Sequence, residues 1–273
     1  VSISFGKPIA ELDDAGAIGS SRGCITLHEL GDGGDSSASF ESNSSVSFEN
    51  GSNVKVVRLQ VENVTLQPPS CAMPTVSNLS LALYEGESML VCGESGIGKS
   101  SLLRAIGGLW AGGQGTITRS ATRRCFFVPQ DPYLCLGSLR ENAEYPGRGD
   151  IVRTDADIEE ALNAVNLGYL ASRHGLDTDV DFENTLSGGE KQRLGFVRLL
   201  LKQKLEFTIL DEATSALDLE NEDLVYQLLC KRVQCYASVG HRTTLEKFHS
   251  HKLLLQRQLE RGCFGSLVRV HSE

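Results

Sequence analysis

Leu186-Ser187-Gly188-Gly189-Glu190 lies upstream of an apolar run, Phe207-Thr208-Ile209-Leu210, that ends in Asp211-Glu212, with Ser187 placed 24 positions ahead of Asp211. Further upstream is a second glycine-rich stretch, Gly93-Glu94-Ser95-Gly96-Ile97-Gly98-Lys99-Ser100. This second stretch fits GxxxxGK[ST], and it has the context the pattern needs. The apolar run Met89-Leu90-Val91-Cys92 precedes it, and Ser100 to Leu109 follows as a helical pattern. Glycines there let backbone N–H groups converge on phosphate oxygens, and the helix N-terminus adds positive potential. Gly93, Glu94, Ser95, Gly96, Ile97, Gly98, Lys99, Ser100 and Ser101 are the candidate nucleotide contacts. Lys99 is expected to bridge the β- and γ-phosphates, and Ser100 to ligate Mg²⁺.

Asp211 closes an apolar strand, which puts its carboxylate at the carboxyl edge of a sheet, where α/β folds bind ligands. It is expected to hold Mg²⁺. Glu212 follows on the loop and is the candidate general base for an attacking water. Ser187, Gly188 and Gly189 open a predicted helix, Glu190 to Lys202, and form a second anion cradle of backbone N–H groups and helix dipole.

A phosphate loop, then LSGGE, then Asp211-Glu212 followed by Ala213-Thr214-Ser215-Ala216-Leu217-Asp218 resembles the nucleotide-binding domain of ABC transporters, over roughly Val54 to Val270. The resemblance implies an α/β fold of the P-loop NTPase, ABC ATPase type. Such a fold has a mostly parallel core sheet, an antiparallel β subdomain and a helical subdomain carrying LSGGE. It implies ATP and Mg²⁺ as ligands. It makes Gln130, in Val128-Pro129-Gln130-Asp131-Pro132, the glutamine that touches Mg²⁺ and faces a membrane domain. His241 becomes the switch histidine near the γ-phosphate, with Glu212 and His241 as the catalytic pair. Asp218 becomes the aspartate of the D-loop at a partner interface. In the family, Ser187, Gly188, Gly189 and Glu190 of one subunit close over the ATP of the other, so a head-to-tail pair with two sandwiched ATPs is implied. Two departures stand out. Family members often carry an adenine-stacking aromatic about 25 positions before the phosphate loop, and here that region reads Leu66-Gln67-Pro68-Pro69. The spacing from Ser187 to Asp211 is also about one residue long, placing an insertion near Lys202 to Glu206.

Ser101-Leu102-Leu103-Arg104-Ala105-Ile106-Gly107-Gly108-Leu109-Trp110 resembles the D subfamily, and so does the run from Val128 to Arg140 leading to Tyr145-Pro146. Trp110 read alone is a core aromatic; the flanking match carries the weight. That group includes peroxisomal acyl-CoA half-transporters and bacterial relatives moving peptides or vitamin B12. Val239 to Leu245 and Phe248-His249 look closer to the bacterial relatives. The implied partners are a second cassette and a transmembrane domain. The implied location is a membrane, an organelle's included, with the cassette on the cytosolic or an equivalent reducing side.

Bulk properties agree with this. The chain has 273 residues, 40% hydrophobic and 22% charged, an ordinary globular composition. No apolar run reaches the roughly 18 to 20 residues that cross a bilayer, so membrane helices are expected outside this sequence. The first residue is Val1, which fits an excised domain, and no signal peptide is evident. A net charge of −9 argues against nucleic acid as a partner. Eight scattered cysteines without a CxxC pair read as reduced, buried thiols.

Residues 1–53 differ from the rest. Ser36 to Ser47 and the Gly/Asp run before it bury little apolar surface, and read as a linker after a membrane domain or as a mobile tail. Ile25 to Leu30 reads as a short helix or strand. Residues 54–273 read as the ATP-binding domain. Within it, Val54–Leu59 and Val61–Leu66 are predicted as two antiparallel strands, with Leu79–Tyr84 as a third and Glu85-Gly86-Glu87 as a turn. Further predicted strands are Cys125–Val128, Phe207–Leu210, Tyr236–Val239, Lys252–Leu255 and Ser266–Val270. Asp155–Val165 is predicted helical, with Ile158, Ala161, Leu162 and Val165 on one face. Alternating strands and helices indicate a largely parallel sheet. Two other functions stay open: a soluble ABC ATPase acting on ribosomes or nucleic acid, and a catalytically dead ATP clamp.

Overall fold

Every residue of Phe207–Asp211 is buried, as a central strand covered on both faces requires. A computed structural model describes residues 2–3, 24–30, 55–67, 74–147, 153–258 and 262–270. Its elements run in chain order as β1 (Ser2–Ile3), β2 (Thr26–Leu30), β3 (Val57–Leu66), β4 (Val76–Tyr84), β5 (Ser88–Cys92), α1 (Lys99–Ile106) and β6 (Gly113–Ser120). Then follow β7 (Cys125–Val128), β8 (Gly137–Ser138), α2 (Leu139–Glu144), α3 (Asp155–Ala164), α4 (Gly168–His174), β9 (Asp179–Val180), α5 (Phe182–Thr185) and α6 (Gly188–Leu201). The chain closes with β10 (Phe207–Asp211), α7 (Leu219–Arg232), β11 (Cys235–Val239), β12 (His251–Gln258) and β13 (Gly262–Arg269).

The main sheet has the order β13-β12-β5-β11-β10-β7. All its neighbours are parallel except the β12–β13 edge pair. The strands divide two cores. Met89, Val91, Phe207, Ile209 and Ala237 pack with α1 and the second sheet. Leu90, Val128 and Leu210 face the other way, onto Ile158, Leu162, Phe182, Leu194 and Phe196 of the helical layer. That alternation follows from the two-residue period of a strand. Helices α2, α3 and α6 each start on a capping box, from Ser138 with Glu141, Thr154 with Asp157 and Ser187 with Glu190.

The second sheet has the order β1-β2-β6-β3-β4 and is antiparallel around β3. The two strands predicted over Val54–Leu59 and Val61–Leu66 are, from Val57 on, one strand, β3, and Val54 lies outside the described residues. Leu59 and Val61 are buried in one phase of the alternation, and Val64 and Leu66 in the other. The phase changes at a register shift where Asn63 takes φ +50°, a conformation that asparagine tolerates better than most residues. Gln60 is therefore strand, and the irregularity falls three residues later than the pattern suggests. The turn after β4 forms as expected, with Gly86 at φ +83° and the Glu87 N–H donating to Tyr84 O.

Ile25–Leu30 contains a strand: β2 pairs parallel with β6, and Ile25 and Leu27 are buried in the core between the sheets. The sheet thus takes in residues ahead of Val54, while the Ser-rich run from Ser36 to Ser47 lies outside the described residues. The expectation of buried thiols holds only for Cys235. Cys24, Cys92, Cys125, Cys135, Cys230 and Cys235 are free, but Cys24, just ahead of β2, and Cys230, on α7, are exposed. Among the described residues no helix is long and apolar enough to cross a membrane.

His249 is buried two residues ahead of β12, against Ser238 of β11. Its Nδ1–H donates to Leu245 O (2.7 Å), leaving Nε2 to accept from the Ser238 hydroxyl (2.7 Å). The rings of Tyr226 and Tyr236 pack against it edge-on. Burial pushes its pKa down to about 4, against the weaker pull of the Leu245 bond. An unfolded histidine titrates near 6.5, so below that value the unfolded chain takes up a proton that the native state refuses. Stability is then lost as pH falls from about 6.5 toward 4, by roughly 2 kcal/mol at pH 5 relative to pH 7. Urea denaturation at pH 7 and pH 5 should show that loss in the wild type and a smaller one in His249→Gln. Equal acid losses in the two proteins would refute the assignment.

Candidate functional site

Four parallel strands end level with one another. Asp211 pairs with Val239, Val239 with Val91, and Leu210 with Val128. The residues that follow are Gly93 after β5, Gln130 after β7, Glu212 after β10 and His241 after β11. The sheet register brings these four loops to one edge, the edge at which α/β folds bind ligands.

After β5 the chain turns through Gly93 (φ +148°), Gly96 (φ +73°) and Gly98 (φ +110°) into α1. A Cβ on Gly93 would lie 2.7 Å from Leu255 O, so only glycine fits between the loop and β12. Ile97 plugs the loop into the core. Glu94, Ser95 and Gly96 are exposed, and Ser100 and Ser101 are half-buried on the first turn of α1. Lys99 is buried, and its Nζ curls back to donate to Gly93 O (3.0 Å) and Glu94 O (2.9 Å). A cation and a helix N-terminus thus share one concave loop, an arrangement suited to a polyphosphate.

Beside this loop, Glu212 takes φ +50°, an unusual conformation for a residue with a side chain. Its Oε2 accepts from Gln130 Nε2 (3.1 Å), and its Oε1 lies 3.2 Å from His241 Nε2. One carboxylate is therefore gripped from both sides by groups arriving from two other strands. Asp211 is buried, with Oδ2 3.6 Å from Arg104. Its Oδ1 is buried without a hydrogen-bond partner. An orphaned buried carboxylate oxygen at this sheet edge has the chemistry of a ligand for a hard, oxygen-seeking cation such as Mg²⁺.

A second cluster lies at the starts of α6 and α7. Ser187 and Gly188 are exposed, and Gly189 and Glu190 half-buried. Ser187 caps α6. The Glu190 carboxylate accepts from the Ser187 N–H (2.7 Å) and hydroxyl (2.6 Å), and the Tyr169 hydroxyl donates to its other oxygen. Partial burial raises the Glu190 pKa, but these hydrogen bonds outweigh it and hold the group below its ordinary value. The predicted helix over Glu190–Lys202 begins two residues earlier, because Ser187 is the cap. Asp218 caps α7 by accepting from Asn221 N–H (2.8 Å), and that bond with the Asn221 amide lowers its pKa. Among the described residues, no hydrogen bond or ion pair joins Ser187–Glu190 to Gly93–Ser101.

Residues the sequence did not single out tie these parts together. Arg242, next to His241, donates to Leu217 O and pairs with the buried carboxylate of Glu222 (3.2 Å). Gln192, one turn into α6, bonds to two site loops at once, the one after β7 and the one after β10. Its sequence neighbours, Lys191 and Arg193, gave no sign of its burial. The adenine question stands partly outside the described residues: Leu66 is buried on β3, and Pro68-Pro69 are not described. The stretch expected to hold an insertion, Lys202 to Glu206, is irregular, with Lys204 at φ +55°.

The family profile described as ABC transporter matches residues 76–215. An uncharacterised ABC transporter ATP-binding protein of Synechocystis is 47% identical over 199 residues, covering 72% of this chain and 30% of its own length. The chloroplastic ABC transporter D family member 2 of Arabidopsis thaliana is 39% identical, covering 77% of this chain and 36% of its own. The human lysosomal cobalamin transporter ABCD4 is 40% identical, covering 71% and 34%. A solved bacterial Atm1-family ABC exporter with ATP bound shares the fold at a TM-score of 0.63 and 24% identity, over 72% of this chain and 37% of that one. The chain spans about a third of the length of the curated relatives it matches. With that profile match and these identities, the chain belongs to the ABC transporter family, as an ATP-binding domain with relatives in the D subfamily.

Proposed function

We infer that this domain is the ATP-hydrolysing motor of an ABC half-transporter. The observation that carries the reading is the grip on Glu212 by Gln130 and His241, beside a glycine loop with a buried lysine. In this reading the backbone N–H groups of Gly93–Ser101 and the Lys99 ammonium hold the β- and γ-phosphates of ATP. Ser100, Asp211 and Gln130 hold Mg²⁺, which when bound neutralises phosphate charge. Glu212 takes a proton from a water as its oxygen attacks the γ-phosphorus. The bond to the β,γ-bridging oxygen breaks, and ADP and phosphate leave. His241 and Gln130 fix the carboxylate's direction toward that water, which is where a positioned base gains its rate.

The remaining candidates form the other half of a shared site. Ser187, Gly188, Gly189 and Glu190 cap the ATP of a second cassette, with Asp218 at the interface between the two. Leu219, next to Asp218, is 57% exposed, as an unpaired interface residue would be. Tyr133 and Leu136, which follow Gln130, are 61% and 85% exposed. An apolar patch at that loop suits a transmembrane domain that receives the motion. We take 54–273 as the domain and 1–53 as the stretch leading to it from membrane helices, with Thr26–Leu30 lying on the domain's sheet. The six free cysteines suit a reducing side of the membrane, and the net charge of −9 disfavours a nucleic-acid partner.

Glu212→Gln should bind ATP as the wild type does and hydrolyse it about a hundredfold or more slowly. It should also accumulate an ATP-bound pair of cassettes on size-exclusion chromatography. Hydrolysis at the wild-type rate would remove Glu212 as the base. Lys99→Ala should lose ATP binding, and undiminished affinity by calorimetry would contradict the proposed cradle. Mg²⁺ should tighten ATP binding less in Asp211→Asn than in the wild type, measured against a chelator in both. An equal Mg²⁺ effect in the two proteins would remove Asp211 as a ligand.

A further inference from the structure

Gln192 has only 3% of its surface exposed, although it is polar and lies between Lys191 and Arg193 on α6. Its carboxamide is fully engaged. Nε2 donates to Gln130 O (2.9 Å) and to Ser215 Oγ (3.0 Å), with Glu212 O at 3.5 Å. Oε1 accepts from the Ala216 N–H (2.8 Å). The contacts reach the loop after β7 and the loop after β10, the two loops that carry Gln130 and Glu212. An amide is the side-chain group that offers a donor fork and an acceptor together at this length. A carboxylate would set its oxygen against the carbonyls of Gln130 and Glu212. An apolar side chain would leave the Gln130 carbonyl and the Ala216 N–H without these partners.

Ser187 lies five positions ahead on the same element, at the N-terminal cap. The loop after β10 also rests on the start of α6: a Cβ on Gly189 would stand 3.1 Å from Ala216 O. The helix is a rigid rod of 14 residues, so a displacement of its capped end moves Gln192 and, through it, both loops.

We propose that Gln192 is a positioning residue that couples the two nucleotide sites of the paired cassettes. The inference rests on the motor reading above. In such a pair, Ser187 serves the partner's ATP while Glu212 serves its own chain's. Gln192 joins the helix that carries the first to the loop that carries the second. Engagement of Ser187 at one site is thereby conveyed to the base of the other. Gln192 itself touches neither substrate nor metal.

The test uses the full chain and compares Gln192→Met, which keeps length and loses all these bonds, with Ser187→Ala and the double variant. Nucleotide affinity is read with a fluorescent ATP analogue and turnover by phosphate release. Gln192→Met should keep its affinity within about twofold and lose about tenfold or more in kcat, because its role lies in positioning and not in binding. The double variant should fall little below the worse single variant, since sites that act through one link are not additive. Wild-type kcat in Gln192→Met, affinity lost in parallel with kcat, or a double variant equal to the product of the singles would each overturn the inference. If Gln192→Met does not fold, Ser215→Ala removes one of the bonds from the far side. It should lower kcat by a few-fold at unchanged affinity, and an unchanged kcat would count against the coupling. Should Ser187→Ala and Glu212→Gln both hydrolyse ATP normally, the motor reading falls and takes this inference with it. Should they be impaired while Gln192→Met is not, only the coupling falls.

Discussion

Asp211 stands opposite Val239, and Val239 opposite Val91, and this level ending of adjacent parallel strands is the constraint on which the site depends. Side chains alternate between the two cores along every one of these strands. A slip of one residue would therefore turn Phe207 and Ile209 out of one core and Leu210 out of the other. Apolar packing thus holds the register, and the register delivers Glu212 to within hydrogen-bond reach of Gln130 and His241. The polar geometry is a consequence of the burial on both faces. It also explains how Glu212 is kept at φ +50°, since the strand before it and three bonded neighbours determine where it sits.

Two helices aim their N-termini outward from this scaffold, and both have arginines at the other end. Arg119 on β6 is buried, and it donates to Ile106 O (2.8 Å) and Gly107 O (3.4 Å) at the C-terminus of α1. The C-terminus of α6 receives Arg232, on Leu200 O (3.1 Å) and Lys202 O (2.8 Å), together with Arg153 on Leu201 O. Cations at helix C-termini satisfy the last carbonyls and oppose the negative end of the dipole. For Arg119 the carbonyls, the Ser120 O and the Thr122 hydroxyl take the place of a carboxylate partner. The same arginine lies behind the glycine turn that ends α1, where Leu27 of β2 also packs against the Cβ position of Gly108. The segment ahead of Val54 is in this way connected to the helix that follows the glycine loop.

The parts legible in the sequence are those whose chemistry is local. The glycine loop, the apolar run closing on Asp211 and the serine cap of α6 each declare themselves within a dozen residues. Their placement at one sheet edge followed from the α/β alternation, and β10 and α3 lie within a residue of the predicted bounds. What stayed hidden depends on partners far away in the chain. β3 was read as two strands because the phase change at Asn63 has no composition signal, only a conformation. β2 was ambiguous because its identity comes from pairing with β6, some 90 positions later. Gln192 could not be assigned because its partners, Gln130 and Ala216, come from two different loops.

The two clusters differ in one physical respect that bears on how the pair would close. The N-terminus of α1 has no acidic residue in its first turn, and a lysine lies inside it. The N-terminus of α6 carries its own anion, because Glu190 accepts both the N–H and the hydroxyl of Ser187 and is steadied by Tyr169. In the proposed pair, a phosphate approaching Ser187 would have to draw the hydroxyl away from Glu190 and accept a nearby negative charge. A neutral amide at this position would lessen that opposition. In the proposed pair, the Glu190 carboxylate would favour a phosphate whose charge is already offset by Lys99 of the opposing subunit over a bare anion. On that reading the pairing of the cassettes and the loading of the glycine loop would be one electrostatic condition, set by Lys99 on one helix N-terminus and Glu190 on the other.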